Sequence, residues 1–240
     1  MIVPKEQITR VVFDFDNTLF DTERRKQLLY EMAMLHGYSK EEGKKMYDEA
    51  RVVGEKIVIS LSSYISILQE YVTRDKKQFR AVDVSSLIQK MHHGDGLLSG
   101  AKKLLFWCKS LPIEMYLLSL GVRGWQEEKV AQAGIADFFG DEHIVYTDKV
   151  DNGKIKSLQM LFGENFKGEG TLIFNDKPDE TAALLQEFPG LVACVRREPL
   201  DERFSENSYT DLKKNFPGRV VCSERLEELN SVTALLFQKI

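Results

Sequence analysis

The chain has few cysteines, no long apolar run and no excess of charge of one sign. Its three cysteines, Cys108, Cys194 and Cys222, are widely spaced and form no CxxC pair, which excludes a disulfide framework and a thiolate zinc site. Each lies in an apolar stretch, so buried, reduced thiols are expected. The opening residues Met1 to Gln7 lack the apolar segment of a secretory signal, and no run approaches the length of a membrane span. A formal net charge of −4 gives no electrostatic reason for nucleic acid as a partner. Internal repeats and low-complexity segments are also missing. These absences lead us to expect a cytoplasmic protein with neither membrane nor nucleic acid among its partners.

What is present is an ordinary globular composition, 43% apolar and 29% charged over 240 residues. That length accommodates one large domain, or a core with a smaller insertion. Val11-Val12-Phe13 reads as a buried strand. Helical spacing then takes over: Leu28, Leu29, Met32 and Leu35 mark one helix, and Ser39 with Glu42 forms a capping-box pattern opening a second. A third stripe runs through Ile57, Leu61, Tyr64, Ile65, Leu68 and Tyr71, and a fourth begins after Asp83. No strand pattern interrupts them, so residues 22–94 are expected to form a helical insertion. His92-His93-Gly94-Asp95-Gly96 reads as the hinge loop returning to the core, because adjacent histidines do not chelate well.

Strand and helix alternate from Leu97 onward. Ser99 is a candidate cap for the next helix, and strands are expected at Ile113–Ser119, Ile144–Tyr146, Thr171–Phe174, Leu191–Val195 and Arg219–Cys222. The polar stretch from Arg203 to Gly218 has no clear period and reads as surface loop. Fully apolar strands alternating with helices imply an α/β fold, a Rossmann-like parallel sheet covered by helices on both faces. The division expected is a core of residues 1–21 and 95–240 with a helical cap of residues 22–94.

The first strand ends in Asp14-Phe15-Asp16-Asn17-Thr18-Leu19. Ionised carboxylates are costly to bury at a strand end unless something compensates them. A hard divalent cation such as Mg²⁺ would do so, and strand carboxyl ends of α/β sheets are where ligands sit. The same residues also suit a plain strand end with an Asx-type turn.

Asp-Phe-Asp-Asn-Thr-Leu after an apolar strand resembles the first motif of the haloacid dehalogenase-like (HAD) superfamily. The resemblance implies that Asp14 attacks phosphorus and Asp16 serves as general acid and then base. It further assigns Ser119, at the end of a later strand, to bind the transferring phosphoryl group, although Leu120-Gly121 follows where asparagine is common. A serine at an ordinary turn is the alternative. Lys154, in the first turn of a helix, matches the family's lysine best; Lys149 is second, and Lys156 is expected to face solvent. An acidic pair, Asp176 with Glu180, would hold the metal alongside Asp14 and Asp16. Asn175 stands where glycine or an acid is usual, and Asp179 is an alternative to Glu180. The helical insertion corresponds to the family's cap. The activity implied is Mg²⁺-dependent hydrolysis of a small-molecule phosphomonoester through an aspartyl-phosphate. A phosphomutase, or a protein that keeps the fold only for binding, uses the same features.

Overall fold

The computed structural model describes residues 7–53, 56–148 and 153–237. The chain begins with strand β1 (Arg10–Phe13) and passes into helices α1 (Thr22–Leu35) and α2 (Lys40–Arg51). Two short strands follow, β2 (Val52–Val53) and β3 (Lys56–Ile57), then α3 (Leu61–Arg74) and α4 (Ala81–Met91). The alternating part comprises α5 (Ala101–Lys109), β4 (Glu114–Leu120), α6 (Arg123–Ala133), β5 (Ile144–Thr147) and α7 (Gly153–Phe162). It continues with β6 (Thr171–Asn175), α8 (Pro178–Glu187), β7 (Val192–Arg196), α9 (Glu206–Asn215), β8 (Val220–Ser223) and α10 (Leu226–Phe237).

Six strands form one parallel sheet in the order β5-β4-β1-β6-β7-β8. Successive side chains of a strand point to opposite faces. Val11 and Phe13 therefore pack into one layer with Leu104, Val130 and Leu226, while Val12 enters the other with Leu158, Leu184 and Leu212. Burial on both faces explains why the strands lack polar alternation. From β1 the chain builds outward through β4 and β5, whereas from β6 it builds the other way through β7 and β8. The crevice at such a reversal lies between β1 and β6, at the carboxyl ends of the strands. Phe13 is in register with Phe174, so the residues that follow, Asp14 on one side and Asn175-Asp176 on the other, meet at that crevice.

Helices α1 to α4 carry a core of their own, built around Leu28, Met32, Met46, Tyr64, Leu68 and Val84. The Ser39–Glu42 capping box is formed, with reciprocal bonds of 2.7 and 3.1 Å. The two linkers of this helical cap run side by side: Asp21 N donates to Gly96 O (2.8 Å) and Leu98 N to Leu19 O (2.9 Å). Gly96 has φ +66°, and a Cβ there would lie 2.5 Å from the buried Phe20 ring, so the approach requires glycine.

The structure corrects several local expectations. Ile57 belongs to the β2–β3 hairpin rather than to the third helix, which starts at Leu61 behind its Ser60 cap. β-branched Val52, Val53 and Ile57 favour an extended chain over a helix. The stretch from Arg203 to Gly218 is not all loop: α9 occupies its centre, burying only Tyr209 and Leu212, too few to make a visible period. Gly100, with φ +82°, caps α5 in place of Ser99, whose hydroxyl donates to Glu227 at 2.9 Å. Cys108 and Cys194 are buried, but Cys222 is only half-buried; all three are free thiols. His92 closes α4 and approaches Glu128 at 3.5 Å. Among the described residues, no helix is long and apolar enough to cross a membrane.

Candidate active site

Asp14 follows β1 directly, and its N–H donates to Phe174 O at 2.9 Å, which extends the β1–β6 ladder to the carboxylate itself. Oδ1 accepts from Lys154 Nζ at 2.6 Å and Oδ2 from Thr18 Oγ1 at 2.9 Å. The chain turns away through Asn17, at φ +58°, a conformation asparagine tolerates better than most residues. Burial pushes the Asp14 carboxyl up, and Lys154 and Lys177 oppose the shift only in part.

Lys154 lies in the first turn of α7 and is 3% exposed. Its ammonium bonds Asp14, Asn175 Oδ1 (2.9 Å) and Glu180 Oε2 (2.6 Å), so all three of its protons are used. Burial alone would lower this ammonium, but Asp14, Glu180 and Asp176 outweigh it and hold the group above its ordinary range. Glu180 thus sits on the lysine, and Asn175 Nδ2 adds a 3.2 Å bond to the same carboxylate oxygen. Against burial, Lys154 and Lys177 pull Glu180 down to about 2. Asp179, the alternative acid, is exposed and accepts from the Glu180 N–H. Lys156 is exposed, as expected; Lys149 lies outside the described residues, as do Asp151 and Asn152.

Asp176, 3% exposed at the tip of β6, has an Oδ1 with no hydrogen-bond partner. Burial, with the Asp14 charge adding to it, lifts its carboxyl to about 7. Its backbone carbonyl accepts from Tyr209 on α9 at 3.1 Å, a support the sequence did not reveal. Ser119, fully buried at the β4 tip, likewise has an unpartnered Oγ. Among the described residues no three carboxylate, imidazole or thiolate side chains converge on one point. Two carboxylates still fit magnesium, which keeps several waters. The orphaned, buried Asp176 oxygen beside Asp14 is the donor such an ion needs.

Asp16 is held by residues the sequence reading missed. Its Oδ1 accepts from Thr22 Oγ1 and from Lys129 Nζ, and its Oδ2 from Gln126 Nε2 at 2.9 Å. Burial would raise this carboxyl, but the Lys129 ammonium and these donors bring it to about 2. A signal for Lys129 and Gln126 did exist. They share the buried face of α6 with Val130 and Ala133, and polar residues on an apolar stripe call for partners.

The strand tips open into a cavity of about 370 Å³ between core and cap. Asp14, Asp16, Lys129 and Asp176 line it from below, and Tyr47 and Arg51 of α2 from above. Lys44 of α2 bridges cap to core through Glu202 at 2.9 Å.

Fold and site together define a parallel α/β protein with a carboxylate–lysine centre at its topological switch point and a helical cap above it. The chain belongs to the haloacid dehalogenase-like hydrolases: the model of that family matches residues 8–184. No curated protein matches. Several solved structures share the fold. A magnesium-bound HAD-hydrolase candidate of Bacillus subtilis, YfnB, is 15% identical with a TM-score of 0.55, covering 95% of this chain and 99% of that one. A HAD family hydrolase of Deinococcus radiodurans with bound phosphate and sodium is 18% identical, with a TM-score of 0.59 and 97% of both chains covered. A candidate beta-phosphoglucomutase of Thermotoga maritima is 15% identical, with a TM-score of 0.60 and coverages of 95% and 99%.

Proposed function

We propose that this hydrolase is a Mg²⁺-dependent phosphatase of small phosphomonoesters that works through an aspartyl-phosphate on Asp14. The observation that carries the reading is a pair of buried, unpartnered polar atoms, Ser119 Oγ and Asp176 Oδ1, at strand ends around a lysine-bound aspartate. One suits a phosphoryl oxygen and the other a cation. The magnesium-bound and phosphate-bound structures of the same fold support this assignment.

In this reading Asp14 attacks phosphorus while Lys154 balances the charge gathered there. Ser119 donates to a phosphoryl oxygen. Asp16 gives a proton to the leaving oxygen, then takes one from the water that cleaves the aspartyl-phosphate. Lys129, Thr22 and Gln126 favour the ionised Asp16 carboxylate, the form the second step needs. An arriving phosphate adds negative charge nearby, which raises its proton affinity for the first. Asp14, Asp176 and the Asp16 carbonyl would hold Mg²⁺, which would neutralise charge on the transferring group. Glu180 fixes Lys154 instead of binding the metal. The cap, residues 22–94, closes over the substrate and excludes water.

A panel of phosphorylated metabolites, assayed with and without Mg²⁺, tests the proposal. Phosphate release that needs Mg²⁺ is expected, and no hydrolysis of any member would reject it. Transfer to a second hydroxyl, stimulated by a bisphosphate, would indicate a mutase.

The metal assignment also predicts a pH dependence. Asp176 has a folded value of about 7 against an ordinary 3.8. Between those values the folded state holds more proton than the unfolded one, so the metal-free protein loses stability as pH rises through that window. A cation competes with that proton. Mg²⁺ is therefore expected to raise Tm more near about pH 8 than near about pH 5.5, and Asp176→Asn to abolish the difference. An equal increment at both pH values would place the ion elsewhere.

A further inference from the structure

Lys129 is an expensive residue to keep where it is. It is 2% exposed and its ammonium lies 5.5 Å from the Phe15 ring centroid and 5.7 Å from that of Phe20. An apolar side chain of the same length would fill the site without desolvating a charge. Among the described residues the ammonium bonds Asp16 Oδ1, which Thr22 also reaches, and the neighbouring Gln126 reaches the other oxygen. Gln126 Nε2 is itself fixed by Leu120 O at 2.9 Å, and a Cβ on Gly121 would fall 2.3 Å from it. Helix α6 is anchored to the cap by residues one turn either way from Lys129. There Arg25 bonds the Gln132 side chain and stacks 4.7 Å from the Trp125 ring centroid, and Gln132 Nε2 donates to Gly94 O at 3.0 Å.

We propose that Lys129 is the positioning residue of Asp16, locking the carboxylate in the rotamer that points it into the cavity toward the leaving group. Lys129 and Thr22 hold Oδ1 and Gln126 holds Oδ2, yet the Asp16 side chain remains 26% exposed where it lines the cavity. That exposed part of the carboxylate is what a leaving group in the cavity would meet. A neutral donor would hold the carboxylate less firmly, because charge-assisted hydrogen bonds are roughly twice as strong as neutral ones. Attachment of α6 to the hinge at Met91 and Gly94 ties the lock to a seated cap, since Gln132 bonds both carbonyls.

The inference rests on Asp16 being the acid that protonates the leaving oxygen, and the test separates the two. Single-turnover rates of phosphoryl transfer to Asp14 are compared for an alkyl phosphate and for p-nitrophenyl phosphate, whose leaving group needs little protonation. Asp16→Asn should slow the alkyl ester about a hundredfold or more and the nitrophenyl ester far less. Lys129→Met should reproduce that pattern, and Lys129→Arg should recover most of the loss. Equal slowing of both esters by Lys129→Met would reduce Lys129 to a structural ion pair and overturn the proposal. If Asp16→Asn itself makes no distinction between the esters, it is the acid assignment that fails. A crystal structure of Lys129→Met then decides the positioning role alone: Asp16 rotated away from Gln126 upholds it, and Asp16 unmoved overturns it.

Discussion

Asp14→Asn is expected to lower turnover by about four orders of magnitude or more, the scale on which covalent enzymes lose activity without their nucleophile. The amide matches the carboxylate in size, so Thr18 and Lys154 keep their neighbour while the attacking oxygen loses its charge. The fold should not suffer. Asp14 is buried with its carboxyl pushed up, the mark of a charge held at a cost to stability. Neutralising it also removes its repulsion of Asp176, while Lys154 retains Glu180. Without Mg²⁺ the variant should therefore melt no lower than the parent, as catalytic residues often cost stability. Near-parental phosphate release by a purified Asp14→Asn preparation would remove Asp14 from the nucleophile's role.

Lys154→Ala should reduce turnover by about two orders of magnitude or more, as when one electrostatic stabiliser of a transition state is deleted. Here stability falls as well. The side chains of Lys154 and Asp14 are 2% and 5% exposed, and Glu180 is 21% exposed. Removing the shared cation leaves two carboxylates without their counter-ion, a loss of about 3 kcal/mol or more. A second change separates the two effects: Lys154→Met with Glu180→Gln removes the stranded Glu180 charge and should regain much of the stability but none of the turnover. Urea titration and steady-state kinetics on the same preparations read both. Recovery of turnover in the double variant would show Lys154 to be a structural counter-ion only.

The unusual position of Asp14 could be read from the sequence because it violates an ordinary rule. An apolar strand that ends in two acids carries a cost that folding alone does not explain. Asp176 was legible on the same ground, closing an apolar run, whereas Ser119 and Lys154 were singled out by their place in the family resemblance, Lys154 with the added mark of a cation in the first turn of a helix. The family was recognisable since these four positions follow one another in order between Asp14 and Asp176, within the residues 8–184 that the family model matches. Where the signal was weak, the reading slipped. Helix α9 escaped because it buries only two apolar side chains. The β2–β3 hairpin escaped because two-residue strands leave no alternation to see.

By itself, then, the sequence determined the parallel α/β core and the helical insertion, which follow from local period, and marked Asp14, Asp16 and Asp176 as acids ending apolar strands. Only the tertiary structure decided which side chains those residues bond. Glu180 lies one turn into α8 from Asp176, and its spacing permits a metal ligand or a lysine partner equally. The meeting of α7 with α8 over Asn175 turned it to Lys154. Lys129 and Gln126 stand more than a hundred residues from Asp16, and nothing local says which carboxylate they hold. Their assignment waited on the packing of α6 beneath the cap, because pairing between distant charges is fixed by the position of whole elements and not by the neighbours of either residue.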